Sequence, residues 1–272
     1  MMNSTLRDDG WKAGDLYEPY VGRWSRRVAD AFLGWIAVPP DADWADVGCG
    51  TGALSEAIFA TARPTSVHGF DPSAGFLQFA QRRLSHPAVT FAIADARSLP
   101  LAPESVDATV AGLVINFVSD PPAAVREMAR VTRPGGTVAA YVWDYGGRME
   151  LMRCFWDAAV ALDPAAAALD EGRRFPMCRP EPLLDLFNGA GLRDVATQPI
   201  DIATNFAGFD DFWSPFLGGQ GPAPAYAMSL AEDRREALRE RIRSALPMRD
   251  DGSIHLVARA WAVRGRKPER SV

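Results

Sequence analysis

The stretch Trp44-Ala45-Asp46-Val47-Gly48-Cys49-Gly50-Thr51-Gly52-Ala53-Leu54-Ser55-Glu56-Ala57-Ile58 decides the fold. A short apolar run leads into three closely spaced glycines. After them, Leu54 and Ile58 sit four apart, as on one helix face. The glycines therefore occupy a strand-to-helix turn. Glycine there lets the backbone approach a ligand closely, and the helix N-terminus offers unpaired N–H groups. Open α/β sheets bind nucleotide-like ligands at such turns.

Two readings of the turn compete. Gly48-x-Gly50-x-x-Ala53 fits the dinucleotide pattern G-x-G-x-x-G/A, with the acidic Asp71 further along. Four details point elsewhere. A third glycine, Gly52, tightens the loop. Asp46, just before the first glycine, can hold an amino group through charge-assisted hydrogen bonds. Asp95 ends a later apolar run, and Pro134-Gly135-Gly136 makes a turn ahead of another strand. With these residues together, the chain resembles the class I S-adenosylmethionine (SAM)-dependent methyltransferases. Within them it resembles the small-molecule, methyltransferase type 11 branch that includes the ubiquinone/menaquinone-type enzymes. The resemblance covers most of residues 15–145 and, more loosely, the strands after 190.

The rest of the chain supports an α/β reading. Val21 to Val38 carries Trp24, Val28, Ala31, Phe32, Trp35 and Ile36 at helical spacing and stops at Pro39-Pro40. Strands are predicted over 44–47, 66–71, 89–94, 106–115 and 137–142, with helices at 53–62, after Ser73 and from Pro121-Pro122. The long apolar run Val106 to Ile115 reads as a central strand buried on both faces. Alternating strands and helices imply a mainly parallel sheet covered on both faces. A further helix spans 181–188, and 195–202 and 254–263 are late strands. The resemblance implies a Rossmann-like seven-stranded sheet in which the seventh strand inserts antiparallel beside the fifth.

The expected organisation is one class I methyltransferase domain over 1–272. Residues 15–145 form the SAM-binding core. Residues 146–180 and 206–251 are insertions forming a helical cap, and 181–205 and 252–264 complete the sheet. Connections this long are usually lids or binding elements. The first leaves the carboxyl end of the fifth strand, where open α/β sheets bind ligands, and is expected to roof the acceptor site. Their aromatics Trp156, Phe209, Trp213 and Phe216, with Tyr141 and Trp143, fit either an apolar acceptor pocket or plain core. The charge-rich stretch Ala231 to Arg243 reads as a solvated helix face.

Composition narrows the function. The 272 residues are 48% hydrophobic and 23% charged, ample for a core. A net charge of −5 disfavours a nucleic-acid binder. Cys49, Cys154 and Cys178 give neither a disulfide framework nor zinc spacing, and the three histidines have no metal or triad partner at motif spacing. Met1 to Gly14 is polar, without the apolar region of a signal peptide, and no apolar run reaches a membrane span. The expectations are a cytoplasmic protein with no metal and a small-molecule methyl acceptor as partner, with a homodimer left open. Residues 1–10 and 265–272 read as frayed tails.

The resemblance assigns roles residue by residue. Gly48, Cys49, Gly50 and Gly52 would let the methionyl tail and ribose lie against backbone. Asp46 would bind the methionyl amino group, or orient the glycine loop, or both. Asp71 would accept both ribose hydroxyls, since Ser73 is free to cap the next helix. Pro72 would touch adenine, with Phe76 in the core. Asp95 would accept the adenine N6 amino group and the N–H of Ala96 would donate to N1. Gly112, Leu113 and Phe117 close the fourth strand at the methionyl end. Tyr17, Tyr20, Arg23 and Trp24 resemble an N-terminal cover, in which an aromatic gains a cation–π term from the sulfonium and Arg23 pairs with the methionyl carboxylate. Their alternative is an amphipathic core helix.

Catalytic residues are not declared. Asn116 stands where relatives often place a histidine, and an amide cannot act as a base at neutral pH; it can orient an acceptor by hydrogen bonds or be a plain strand-end asparagine. Tyr141 and Asp144 are the other candidates. The implied activity is transfer of the sulfonium methyl of SAM to an O, N or C nucleophile of a small molecule, leaving S-adenosylhomocysteine (SAH). No Asn-Pro-Pro-Tyr motif follows the fourth strand, which disfavours DNA-adenine or protein-glutamine methylation. The alternatives are a non-catalytic SAM-binding or regulatory protein, or a nicotinamide-dependent oxidoreductase. The latter would need a Tyr-x-x-x-Lys or histidine acid.

Overall fold

The structure, a computed structural model, describes residues 18–218 and 221–270. After an opening π-turn, Glu18–Gly22, come α1 (Arg23–Ile36), β1 (Asp43–Val47), α2 (Ala53–Thr61), β2 (Ser66–Asp71), α3 (Ala74–Arg83), β3 (Val89–Ile93) and β4 (Val106–Gly112). Next are α4 (Pro121–Val131), β5 (Thr132–Trp143), α5 (Glu150–Leu162), α6 (Glu171–Arg174), α7 (Pro180–Gly189) and β6 (Arg193–Phe206). The series closes with α8 (Phe209–Trp213), α9 (Pro222–Ser229), α10 (Glu232–Ala245) and β7 (Ile254–Arg266).

The strands form one sheet of order β3-β2-β1-β4-β5-β7-β6. β1 to β5 pair in parallel, and β7 runs antiparallel to β5 from Thr137↔Arg266 to Trp143↔Ala260. This is the Rossmann-like arrangement expected from the resemblance. The order reverses between β1 and β4, so the ligand crevice of such a sheet lies beyond their carboxyl ends. Those ends carry Asp46 and the glycine turn on β1 and the Gly112–Phe117 segment on β4.

Local sequence explains most element boundaries. Ser73 caps α3, its hydroxyl accepting the Phe76 N–H at 3.3 Å. Asp120 caps α4 through the Ala123 N–H at 2.9 Å, with the two prolines in the first turn. Trp24, Val28, Phe32 and Ile36 form the buried face of α1. In β4, Ala108, Val110 and Ala111 are wholly buried, as expected of a central strand.

Three boundaries stand out as different from expectation. β4 ends at Gly112, because Leu113 adopts a left-handed φ of 60° and Ile115–Phe117 coils into a 3-10 turn. β5 begins at Thr132, and Pro134-Gly135-Gly136 lies inside it as a bulge. Thr132 pairs with Val106 but Thr137 with Ala108, so five residues face two. Gly136 is required there, since a Cβ would fall 2.6 Å from the Asp107 carbonyl oxygen. The expected C-terminal tail is structured to Arg270: Gly265 pairs with Val138, and Arg270 forms an ion pair with Glu104.

The chain divides into two compact units. One comprises Trp24–Trp143, Met177–Ile200 and the described residues from Ala260 onward, and so holds most of the sheet. The other comprises Asp144–Pro176, Asp201–Arg259 and the described residues up to Arg23. Its core is aromatic: Phe155 stacks on Phe216 at 4.6 Å and meets Trp156 edge-on, and Tyr20 meets Phe216 edge-on. On α10, Leu238 and Ile242 are buried while Arg239 and Arg243 both lie over the Phe209 ring. Its charged surface is thus partly used in cation–π contacts and is not wholly solvated.

Candidate cofactor site

The turn after β1 is fixed by backbone geometry. Gly48 has φ 71°, and a Cβ there would sit 2.4 Å from Val114 Cγ2. Only glycine fits between β1 and the segment following β4. Gly50, φ 53°, faces open space, with nothing within 4 Å of the position a Cβ would take. The Gly48 and Cys49 N–H groups both donate to the Phe70 carbonyl, at 2.7 and 2.9 Å, which ties the turn to β2. The Cys49 thiol points the other way, toward Gly69, and burial raises its pKa. Only the backbone of Cys49 remains for the predicted ligand contact.

Asp46 is 0% exposed. Its Oδ2 accepts the Ser55 hydroxyl at 2.6 Å, and its Oδ1 is buried with no partner. Leaving a buried acceptor unpaired costs about 1–3 kcal/mol. Burial, with a smaller push from Asp71, raises the Asp46 carboxyl to about 7 despite the Ser55 hydrogen bond. The site therefore contains a carboxylate oxygen that lacks a donor.

Asp71 has a different arrangement. Oδ2 accepts the Gly50 N–H at 3.0 Å and Oδ1 the Ser73 N–H at 2.8 Å. A carboxylate offers about four lone-pair sites, so each oxygen keeps one. Two vicinal hydroxyls suit that pair. Burial raises the Asp71 pKa, outweighing the two backbone hydrogen bonds.

Toward β3 the surface opens. Pro72 and Asp95 are exposed, Ala96 is half-buried, and Phe76, expected in the core, is half-exposed. Arg97 grips Asp95 from Nε (2.9 Å) and Nη2 (2.6 Å), and its N–H adds a third bond at 2.8 Å. These hold the Asp95 carboxyl down to about 2. One lone pair on Oδ2 is left for the predicted adenine contact. The sequence reading missed Ile93, which ends β3 opposite Asp71 and is 65% exposed. It shares a strand face with Phe91, whose ring lies against Gly69 and reaches Gly52. An apolar side chain bare at that place offers a flat ligand ring a surface.

On the β4 side, Leu113 N–H donates to the Tyr141 carbonyl at 2.8 Å. The Tyr141 hydroxyl lies over Gly112, 2.6 Å from where a Cβ would be. Phe117 is half-exposed. Asn116 is 7% exposed, and neither its Oδ1 nor its Nδ2 has a partner.

The remaining predicted residues have structural partners. Trp24 is buried in α1 under the Arg27 guanidinium. Tyr20 donates to Met152 Sδ at 3.1 Å. Arg23 pairs with Asp211 at 2.8 Å and lies over the Phe206 ring, so its pairing with a ligand carboxylate would compete with Asp211. The Asp144 carboxylate accepts the Arg148 N–H at 2.9 Å and abuts Gly147, bracing a turn. Tyr17 lies outside the described residues. In the second unit the sequence reading also missed Glu171. It is 1% exposed and accepts the Trp156 indole N–H, and burial raises its carboxyl to about 7. Among the described residues no cluster of metal-ligating side chains occurs, and no helix is long and apolar enough to cross a membrane.

An αβ sheet with this strand order, an acid before a glycine turn and a second acid ending β2 defines a nucleotide-type ligand site. The comparisons identify its class. The Methyltransferase domain family matches residues 45–140. A demethylmenaquinone methyltransferase of Roseiflexus sp. (strain RS-1) is 31% identical over 183 residues, covering 61% of this chain and 75% of that protein. One from Renibacterium salmoninarum is 39% identical over 114 residues, 42% of this chain and 45% of that one. The fold is also that of a putative methyltransferase from an antibiotic biosynthesis pathway of Anabaena variabilis (TM-score 0.61, 22% identity, 87% and 96% of the chains). The chain belongs to the class I SAM-dependent methyltransferases. It spans about half the length of several curated relatives, including the Renibacterium protein and a malonyl-[acyl-carrier protein] O-methyltransferase of Serratia marcescens.

Proposed function

We propose that the protein binds SAM at the β1 glycine turn and transfers its methyl group to an O, N or C nucleophile of a small molecule. The observation that carries this reading is the buried, unpaired Oδ1 of Asp46, near the end of the strand that leads into a turn whose Gly50 faces open space. A buried carboxylate oxygen without a donor is unfavourable alone and fits a ligand ammonium. The residues present match the rest of the molecule. Asp71 keeps one acceptor site on each oxygen for the ribose hydroxyls. Pro72, Ile93 and Asp95 bound the adenine end, with the Ala96 N–H toward N1. Gly112, Leu113 and Phe117 border the methionyl end.

When bound, SAM supplies a methyl group already activated by its sulfonium. The chain then has to hold donor and acceptor in line and keep water out. Asp46 and Asp71 grip the two polar ends, and the glycine turn lets the ligand lie against backbone. A small-molecule acceptor accords with the type of relative matched and with the acidic balance of the chain. A nucleic-acid substrate would call for a basic surface.

Calorimetric titration with SAM, SAH and NADH tests the reading. Micromolar binding of both sulfur ligands, none of NADH, and loss of binding in Asp71→Ala are expected. Circular dichroism of the variant checks that the fold survives removal of the Gly50 and Ser73 hydrogen bonds. Absence of SAM and SAH binding by the intact chain would overturn the reading.

A further inference from the structure

Asn116 occupies an unusual position. It follows β4 in the 3-10 turn Ile115–Phe117 and is almost fully buried, yet both polar atoms of its carboxamide are without partners. Buried amides are ordinarily satisfied, and each exception calls for an explanation. The segment that presents it is pinned from two directions. Leu113, two residues after Ala111 of β4, takes the left-handed conformation and donates to the Tyr141 carbonyl of β5. Val114 fills the space beside Gly48. Asn116 thus follows directly on a segment that is anchored to β5, packs beside Gly48 through Val114 and holds a left-handed residue at Leu113, and such strain concentrates at ligand sites.

The other polar groups around the turn have claims on them already. Asp46 and Asp71, with the turn itself, account for the ammonium and ribose of SAM, and β3 with its flanking residues for the adenine. Asn116 is left over on the β4 side. Its chemistry limits what it can hold. A carboxamide offers one acceptor oxygen and one donor nitrogen, carries no charge and does not titrate near neutrality. It cannot compensate a buried carboxylate or ammonium, and an uncompensated buried charge is strongly disfavoured. A group that both donates and accepts without charge fits it.

We propose that Asn116 anchors the methyl acceptor through a paired accept-and-donate contact with a neutral group, a hydroxyl or a carboxamide. The proposal rests on the reading of the glycine turn as the SAM site. It makes Asn116 a specificity residue: acceptors with a neutral hydrogen-bonding group beside the reacting atom are taken, and charged or purely apolar analogues are refused.

The test uses the full chain saturated with SAH. The Asn116 side-chain NH2 resonance in a 15N-labelled sample is assigned by its loss in Asn116→Ala. Five probes of similar size are then titrated: phenol, benzamide, benzoate, benzylammonium and toluene. Phenol or benzamide is expected to move the resonance, and Asn116→Leu should weaken that probe at least tenfold while SAH affinity stays within threefold. Toluene should bind more tightly to Asn116→Leu than to the unaltered chain, because the leucine leaves no buried amide unpaired. Three results would overturn the proposal. If SAH alone moves the resonance and Asn116→Leu loses SAH affinity, the residue serves the donor. If benzoate or benzylammonium is the probe that depends on Asn116, the acceptor group is charged. If no probe moves the resonance, solvent satisfies the amide. Failure of SAH to bind the unaltered chain would show up separately, as failure of the cofactor reading.

Discussion

Protonation of Asp46 should couple SAH binding to pH. In the ligand-free protein its carboxyl titrates at about 7, driven by burial. A bound ammonium favours the carboxylate, so binding below pH 7 must expel the proton. At pH 6 about 0.9 of the molecules carry it, and at pH 8 about 0.1, which sets the protons released per SAH bound. The dissociation constant should tighten by about 90-fold between pH 5 and pH 8 and change little above. The stability of the free protein should move the opposite way. The folded pKa lies above the unfolded value near 4, so the native state alone holds the proton between about pH 4 and pH 7. Stability therefore falls as pH rises through that window, by about 4 kcal/mol in all. Titration calorimetry in two buffers of different ionisation enthalpy counts the protons. Asp46→Asn should abolish the release, and 5′-methylthioadenosine, which lacks the amino-acid end, should show none even with the unaltered chain. Tight SAH binding at pH 6 with no proton released would refute the assignment of Asp46 to the ammonium.

Three further outcomes are expected. Gly48→Ala should destabilise the fold by about 2–4 kcal/mol, because the new Cβ meets Val114 on left-handed backbone, and Val114→Ala should recover part of the loss in chemical denaturation. Gly50→Ala meets open space, so it should cost only about 1 kcal/mol of stability yet lower SAH affinity at least 100-fold; retention of affinity within threefold would place the ligand elsewhere. Glu171→Gln keeps an acceptor for the Trp156 indole but removes a buried carboxyl raised to about 7. Since that raised pKa withdraws stability only as pH climbs past the unfolded carboxyl value toward 7, the variant should be more stable by about 2–3 kcal/mol at pH 8.5 and near neutral at pH 5. Denaturation midpoints equal at both pH values would count against the buried charge.

Features whose causes lie within a few residues were legible in the sequence. The glycine turn, the Ser73 cap, the prolines opening α4 and the acids ending β1 and β2 all have local signatures, and β1, α2, β2, α3 and α4 each begin within a residue of where pattern placed them. The misplaced edges have non-local causes. Nothing in the side chain of Leu113 announces a left-handed residue; the conformation arises where Tyr141 of β5 accepts its N–H. The bulge at Pro134-Gly135-Gly136 is set by the carbonyl of Asp107 on the neighbouring strand, and the order in Gly265–Arg270 by pairing with β5 and Glu104. The same division runs through the site. Asp46 and Asp71 could be picked out beside their glycines, but only the fold shows that Asp46 has an acceptor left over once Ser55 has taken one oxygen. Arg23 reads as available for a carboxylate until Asp211, 188 positions away, claims it. Glu171 reads as one charge in the run Asp170-Glu171-Gly172-Arg173-Arg174 and is in fact enclosed against Trp156. Sequence names the groups capable of binding. Which of them remain unsatisfied, as Asn116 and one oxygen of Asp46 do, depends on every contact the fold makes around them, and those unsatisfied groups are where a ligand gains most from arriving.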